Sequence, residues 1–148
     1  MSSENLKLSN QVCFPLYSAS RLITQTYKPY LDELGITYPQ YLVLLVLWEK
    51  DELSVNEISQ KLILKTNTLS PLLQRMAKLG LVKRNRSSED ERSVVIALTD
   101  KGTKMKMDAQ SIPEKMVNTL LSESVELDDI LQLKLLLNQW IDILKQKD

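Results

Sequence analysis

The segment that decides the fold lies mid-chain, where Thr66 to Leu98 reads TNTLSPLLQRMAKLGLVKRNRSSEDERSVVIAL. Its first part has the i, i+3, i+4, i+7 apolar spacing of one helix face and ends at Gly80. A basic strand, a polar turn and an apolar strand ending at Leu98 follow. The pattern predicts a helix followed by a β-hairpin. The side chains expected to be buried on the helix are Leu69, Leu72, Leu73, Met76 and Leu79.

Another short helix is predicted just before this one and is the first of the pair in chain order. Ser54-Val55-Asn56-Glu57 has the Ser-x-x-Glu pattern of a capping box, and Val55, Ile58 and Leu62 follow at helical spacing. A helix-turn-helix with a wing consists of two short helices followed by a hairpin. Here the later helix, which begins at Thr66, has the polar and basic outer face. The sequence therefore predicts a winged helix-turn-helix, a DNA-binding region, over residues 37–99.

The candidate DNA-binding residues lie at the start and on the polar face of the helix that begins at Thr66, in the basic strand and in the polar turn. Hydroxyl, amide and cationic groups are the side chains that read base edges and hold phosphates. The candidates are Lys65, Thr66, Asn67, Thr68, Ser70, Pro71, Gln74, Arg75, Lys83, Arg84, Arg86, Asp90 and Arg92.

The distribution of charge favours the same region. The 148-residue chain is neutral, with 19 basic and 19 acidic residues. Lys61 to Arg92 holds eight basic and three acidic residues, a net charge of +5 that leaves −5 on the remainder. A basic segment on an otherwise acidic protein is the pattern expected for nucleic-acid contact. Charge alone fits an ordinary solvated face equally well.

Long helices are predicted on both sides of this region, because only three glycines and five prolines interrupt the chain. The first helix covers Val12 to Leu34, with Pro15 in its first turn and Gly35 at its end. Thr37-Tyr38-Pro39-Gln40 has the pattern of a capping box for a buried apolar helix that runs to Trp48. After Thr99, a long helix is predicted over residues 100–121.

The last predicted helix ends near Lys145 and is apolar on more than one face, from Ile130 to Leu144. The core of a single chain would cover one apolar face of this helix. The apolar residues on its other faces therefore indicate contact with a partner subunit. We therefore expect residues 1–36 and 100–148 to form a helical dimerisation region. The predicted fold class is mainly α with a small β wing.

Composition excludes several classes of function. The chain has no histidine and one cysteine, which removes most catalytic and metal-site options and any intramolecular disulfide framework. Its N-terminus lacks the basic start and apolar core of a signal peptide, and no apolar run is long enough to span a membrane. We expect a cytoplasmic protein that has no enzymatic activity, cofactor or membrane association.

These residues resemble the MarR family of transcriptional regulators over nearly the whole chain, from Leu8 to Leu144. Within that family the chain is similar to the one-cysteine redox-sensing branch, which includes organic hydroperoxide resistance repressors. The segments that carry the resemblance are Gln11-Val12-Cys13-Phe14, Leu16 to Arg21, Tyr27-Lys28-Pro29, Thr37 to Tyr41, Thr68 to Leu73, Arg75-Met76, Asp90 to Ser93 and Leu98-Thr99.

The resemblance implies an intertwined homodimer that binds a pseudo-palindromic operator in double-stranded DNA. The helix of Thr66 to Lys78 would enter the major groove, while Arg92 at the wing tip would reach the minor groove. Asp90 would pair with Arg92 and hold it ready for DNA. A surface ion pair that contributes little is the alternative reading of these two residues.

The resemblance also implies that Cys13 is a redox sensor and that Tyr17, Tyr27 and Tyr38 donate hydrogen bonds to its sulfur, some from the other subunit. A helix start near Val12 or Cys13 would place the sulfur at a positive helix end, which stabilises the thiolate. From the residues alone, a buried cysteine and tyrosines packed in the core remain the alternatives.

The sequence departs from the resembling proteins at three places, the first of which is Pro15, where those proteins carry a leucine-like residue beside the sensor. Ile112 to Leu121 offers no second cysteine, so oxidation of Cys13 would end in a mixed disulfide with a low-molecular-weight thiol, a Cys13–Cys13 link or over-oxidation. Lys65-Thr66-Asn67 stands where close relatives carry an acidic residue, a serine and a glycine, so their operator preference does not carry over. Two further functions stay open: a regulator that responds to a small aromatic ligand, and a helical protein-interaction dimer.

Overall fold

The structure is a computed structural model that describes residues 3–87 and 93–147, so Asp90 and Arg92 of the predicted wing tip lie outside the described residues. The described chain is mainly helical with one small antiparallel sheet, which confirms the predicted fold class. Two short 3₁₀ segments, Ser3–Leu6 and Leu8–Asn10, precede the helices. The helices are α1 (Cys13–Leu34), α2 (Tyr38–Glu49), α3 (Val55–Leu62), α4 (Thr66–Lys78), α5 (Asp100–Ala109), α6 (Ile112–Leu120) and α7 (Leu127–Lys145). The strands are β1 (Leu53–Ser54), β2 (Val82–Arg86) and β3 (Val94–Leu98).

The chain divides into two compact units, residues 1–110 and 111–148. The first unit has a core in which apolar residues of α2, α3 and α4 and of β3 are fully buried, among them Leu44, Ile58, Leu73 and Ile96. Because α2 is apolar on nearly every face, it lies at the centre of this core, as its sequence predicts.

Two of the helix starts in this unit are set by capping boxes, as predicted. At α2, the Thr37 N–H donates to Gln40 Oε1 at 2.9 Å, and the Gln40 N–H donates back to Thr37 Oγ1. At α3, the Ser54 N–H donates to Glu57 Oε2 at 2.8 Å, and the Glu57 N–H donates to Ser54 Oγ at 3.1 Å. Each box satisfies two backbone N–H groups that a helix start would leave unpaired.

The end of α4 explains why one predicted core residue is wrong. Gly80 has φ +73°, and the Leu81 N–H donates to the Met76 carbonyl at 3.0 Å. Together with a bond from Gly80 N–H to the Ala77 carbonyl, this is the Schellman arrangement, which reverses the chain after the last helical turn. Leu79 is therefore 41% exposed, and Leu81, 1% exposed, occupies the buried position instead.

The sheet has the strand order β1-β3-β2, so the predicted two-stranded wing has a third strand beside it. Sequence patterning missed β1 because two residues are too few to show the alternation of a strand. Beyond β1, the Asp51 carboxylate accepts a hydrogen bond from the Leu98 N–H at 2.9 Å and extends the pairing along β3.

The predicted helix over residues 100–121 is wrong, because the chain stops being helical after Ala109 and begins again at Ile112. Thr99 does cap its start: its hydroxyl accepts a hydrogen bond from the Gly102 N–H at 3.1 Å. Pro113 explains the break, since proline has no N–H and its ring excludes the carbonyl of the residue four positions earlier, which is Ala109. The boundary between the two compact units falls at this break.

The second unit contains α6 and α7, joined by a turn in which Ser122 pairs with Val125. Ile112 and Met116 of α6 are buried, whereas α7 has no buried residue. Several of its apolar side chains, such as Leu133, Leu135 and Leu144, are more than half exposed in the single chain. Within the described residues, no helix combines the length and apolar character needed to cross a membrane.

Candidate DNA interface and cysteine site

Helix α4 separates its buried and exposed side chains as the sequence predicts. Leu69, Leu72, Leu73 and Met76 are buried, and the candidate DNA-binding residues of this helix are exposed, apart from half-buried Ser70. The stripe directly opposite the buried face consists of Asn67, Pro71, Gln74 and Lys78, at positions i, i+4, i+7 and i+11. Two amides on this stripe have the donor and acceptor pair that suits adenine in the major groove.

The remaining candidates on α4 lie on its two flanks. Thr66 and Ser70, one turn apart, lie on one side of the outward stripe, while Thr68 and Arg75 lie on the other. A helix in the major groove has a sugar-phosphate strand on each side. Each flank therefore offers hydrogen-bond donors to a different strand.

The start of α4 has a free positive end. Lys65 is the N-cap residue, with extended backbone angles and no side-chain cap, and its side chain is exposed. An uncapped helix start presents N–H groups and partial positive charge, to which the ammonium of Lys65 adds a full charge. Together these groups suit a phosphate.

The three basic candidates of strand β2 do not share one face. Arg84 pairs with Ile96 and Arg86 with Val94, whereas Lys83 pairs with Ala97. Paired residues point to the same side of a sheet, and successive residues alternate. Because Ile96 is buried against the helices, Arg84 and Arg86 lie on the helix-facing side of the wing and Lys83 on the opposite side.

The C-terminal end of α4 is fastened to the start of α5, a feature that the sequence did not predict. The Lys101 ammonium donates to the Leu79 carbonyl at 2.9 Å, the Thr99 hydroxyl donates to the Gly80 carbonyl, and the Thr99 N–H donates to the Leu81 carbonyl at 3.1 Å. These donors satisfy carbonyls that the helix end leaves unpaired. They fix the direction in which α4 leaves the core.

Cys13 is the first residue of α1 and is exposed in the single chain. The preceding residue, Val12, provides no side-chain cap, and Pro15 lies in the first turn as predicted. The sulfur thus belongs to the first turn of a 22-residue helix, at its N-terminal end. No group of three or more His, Cys, Asp or Glu side chains in the described part of the chain could hold a metal ion.

The three predicted sensor tyrosines fall into two places. Tyr17 is one turn beyond Cys13 on the same helix, is 63% exposed, and lies under the Arg21 guanidinium at 4.9 Å. The ring centroids of Tyr27 and Tyr38 are 4.9 Å apart. Tyr27 is fourteen residues beyond Cys13 on the same helix, or about 21 Å along its axis, so the two side chains of one chain cannot meet.

Tyr41 completes an aromatic cluster that sequence reasoning missed. Its ring centroid lies 5.9 Å from that of Tyr27 and 6.3 Å from that of Tyr38. Partial burial, with the neighbouring Tyr38 and Tyr41 phenols, raises the pKa of Tyr27 to about 12. Burial also raises the pKa of Tyr38 and, together with Tyr38, that of Tyr41. All three phenols remain protonated at neutral pH and can act as hydrogen-bond donors.

A cavity of about 300 Å³ lies beside this cluster, between α1 and the start of α2. Leu31, Ile36, Tyr38 and Pro39 give it mainly apolar walls, and the ion pair of Lys28 and Asp32, 2.7 Å long, lies at its side. Its size and chemistry suit an apolar or aromatic group.

Comparison with known proteins places the chain in a family. A family model described as the transcriptional regulator SarA/Rot matches residues 25–109. The organic hydroperoxide resistance transcriptional regulator of Bacillus subtilis strain 168 is 48% identical over 145 residues, which cover 98% of this chain and 97% of that protein. The chain belongs to the MarR/SarA family of transcriptional regulators. As a member of this family it is a DNA-binding regulator of transcription, which confirms the predicted resemblance.

Solved structures of this family are similar to the chain over almost its whole length. Reduced AbfR bound to DNA is 38% identical with a TM-score of 0.78, and the match covers 99% of this chain and 98% of that one. The disulfide form of AbfR is also 38% identical, with a TM-score of 0.63 and coverage of 97% and 96%. AbfR is a Staphylococcus epidermidis protein.

Proposed function

We propose that this MarR/SarA-family protein is a homodimeric repressor that senses organic hydroperoxides by oxidation of Cys13 and then leaves its operator. The observation that carries the proposal is the position of Cys13, exposed as the first residue of an uncapped helix. The name of the similar Bacillus subtilis regulator refers to organic hydroperoxide resistance, and AbfR has been solved in a reduced and a disulfide form. The proposal places the protein in the cytoplasm and assigns it no enzymatic activity.

The chemistry begins with the thiolate of Cys13, because the thiolate is the nucleophilic form of a cysteine. The sulfur attacks the terminal oxygen of a hydroperoxide, so an S–O bond forms while the O–O bond breaks. The departing alkoxide takes a proton and leaves as an alcohol, and Cys13 becomes a sulfenic acid. A low-molecular-weight thiol then attacks the sulfenic sulfur, which forms a mixed disulfide and releases water.

A second subunit completes the sensor in this proposal. Tyr27 lies too far along α1 to reach Cys13 of the same chain, and Tyr38, the first residue of α2, packs against Tyr27. Only Tyr17 is close to Cys13 in sequence and on the same helix. The protonated phenols of the partner's cluster are suitable donors to the sulfur. Dimerisation also accounts for apolar side chains that the single chain leaves exposed, such as Leu22 on α1 and Leu135 on α7.

The test compares wild-type protein with Cys13→Ser in a fluorescence anisotropy titration of a labelled operator duplex. Serine keeps the size and the helix start but cannot be oxidised, so the variant should bind with the same affinity as the wild type. Cumene hydroperoxide should release only the wild type, and dithiothreitol should restore its binding. Intact-mass measurement should show the sulfenic acid or the mixed disulfide on the wild type alone. A serine variant that the peroxide still releases would overturn the mechanism.

A regulator that responds to a small aromatic ligand is the second candidate, and the cavity beside Tyr38 is the observation that favours it. Its occupant would release DNA without an oxidant and would act on Cys13→Ser as well as on the wild type. Ile36→Trp, which reduces the cavity, should abolish that response while leaving the response to peroxide. Release of the wild type by peroxide alone would leave the redox function as the only one supported.

A further inference from the structure

A polar cavity of about 250 Å³ lies where α3, α4 and the wing meet. Its walls come from the start of α3, the Thr66/Ser70 flank of α4, strand β2 and the start of β3. The residues that line it are Ser54, Val55, Asn56, Thr66, Ser70, Arg84, Ser93 and Val94. No sequence pattern marked Ser54, Asn56 or Ser93 as DNA-binding residues, because only the fold brings them beside α4.

The pairing register of the wing directs Arg84 into this cavity. Arg84 lies opposite buried Ile96, so its side chain is on the helix-facing side of the wing, whereas Lys83 is on the other side. Arg84 is exposed and forms no ion pair with a carboxylate among the described residues. Within the described part of the chain, no carboxylate therefore competes with a ligand for its guanidinium.

The other groups in the cavity are neutral, and most of them can donate hydrogen bonds. Asn56 contributes an amide, and Thr66, Ser70 and Ser93 contribute hydroxyls. Among the residues that the structure describes, no aspartate or glutamate lines the cavity. The nearby carboxylate of Glu57 is already engaged with the Ser54 N–H. One cation with several neutral donors, and no carboxylate among residues 3–87 and 93–147, suits a singly charged oxyanion.

We infer that this cavity seats one phosphate of the operator backbone and that Asn56 is one of its ligands. The phosphate belongs to the DNA strand that runs along the Thr66/Ser70 flank of α4 when its outward stripe faces the bases. Arg84 supplies the charge, and the amide and hydroxyls supply directional hydrogen bonds. This phosphate contact fixes the position of α4 along the major groove. It does not depend on the DNA sequence, since phosphates carry no base information. This inference rests on DNA binding and is independent of what Cys13 senses.

Arg84→Gln and Lys104→Gln provide a matched test, because each removes one positive charge and Lys104, exposed on α5, is not among the candidate DNA-binding residues. The affinity of each for a labelled operator duplex and for an unrelated duplex is measured over a range of salt concentrations. Arg84→Gln should reduce the slope of log affinity against log salt by about one and weaken binding to both duplexes by the same factor. Lys104→Gln should leave the slope unchanged. Equal slopes for the two variants would overturn the inference.

Asn56→Asp tests the second ligand with a variant that should fold at least as well as the wild type. The aspartate side chain keeps the shape of the amide, and a negative charge at the start of α3 interacts favourably with the helix dipole, so the melting temperature should not fall. Facing a phosphate, the same charge should weaken binding to both duplexes about tenfold or more. Wild-type affinity in this variant would exclude Asn56 as a ligand of the phosphate.

These outcomes are distinguishable from failure of the proposed function. Variants of the cavity that still bind DNA should remain sensitive to peroxide through Cys13, with the same fractional release as the wild type. A failure of the redox proposal would change the response to peroxide and leave the salt slopes as stated. A wild-type protein without affinity for any duplex would overturn both.

Discussion

Gly102→Ala should destabilise the protein through a clash with a peptide group that joins the reading helix α4 to the wing. A Cβ atom at position 102 would lie 2.2 Å from the Leu81 carbonyl oxygen and 3.1 Å from a methyl carbon of Leu98. Ordinary contact begins at 3.4 Å. The Leu81 peptide is buried and held by the Thr99 N–H at 3.1 Å, so it cannot move away without loss of that bond.

The magnitude follows from three contributions to the free energy of unfolding. Overpacking in a buried site costs about 1–3 kcal/mol. Loss of the hydrogen bond from Thr99 costs about 1 kcal/mol. Replacing glycine by alanine in a helix offsets up to about 1 kcal/mol. The net loss is about 1–4 kcal/mol, which lowers the melting temperature of a chain of this size by about 2–16 °C.

Thermal and urea unfolding followed by circular dichroism at 222 nm measures this loss, with Gly80→Ala as the matched control. A Cβ atom at Gly80 meets nothing within 4 Å, but the residue has φ +73°. The free energy of unfolding of this control should therefore fall by about 1–2 kcal/mol, the strain of a left-handed backbone at alanine. Because the Leu81 peptide links α4 to β2, Gly102→Ala should also weaken operator binding. A melting temperature for Gly102→Ala equal to that of the wild type would refute the reasoning.

Two further predictions concern the tyrosine cluster and a strained turn. Burial raises the pKa of Tyr27 from 10.0 to about 12, so the folded protein keeps a proton that the unfolded chain has lost. Stability should fall as pH rises from about 10 to 12, and absorbance at 295 nm should show a late-ionising phenol that Tyr27→Phe removes. Glu52 has φ +57° and is exposed, so Glu52→Gly should raise the free energy of unfolding by about 0.5–1 kcal/mol in urea titrations. Glu33→Gly, inside α1, should lower the free energy of unfolding by about 1 kcal/mol. A change of the same sign in both variants would contradict the explanation.

Local features of the fold were predictable from the sequence. The capping boxes at Thr37 and Ser54 and the glycine ends at Gly35 and Gly80 depend on residues within one turn of each other. The polar face of α4 was predictable for the same reason, since helical periodicity alone decides which side chains share a face. Pro113 is a local signal of the same kind, since proline excludes the carbonyl four positions earlier and so ends the helix that follows Thr99.

Features that depend on pairing between distant segments were not predictable. Strand β1 exists because Leu53 and Ser54 meet Ile96 and Val95, some forty residues later. Leu79 is exposed and Leu81 buried because the Schellman turn redirects the chain against the core. Tyr41 was missed as a member of the tyrosine cluster because α1 and α2 had to be packed together before its ring met that of Tyr27.

The sequence by itself determined that a short helix pair and a basic hairpin form the DNA-binding region, and that one cysteine stands at the start of the first helix. Both features depend on residues that are close together in the sequence, so composition and periodicity are enough to predict them. Only the tertiary structure decided that Arg84 and Lys83, adjacent in the chain, serve opposite faces of the wing. Strand register sets these positions, because hydrogen-bonded pairing joins segments whose separation in the sequence does not show which face meets the helices.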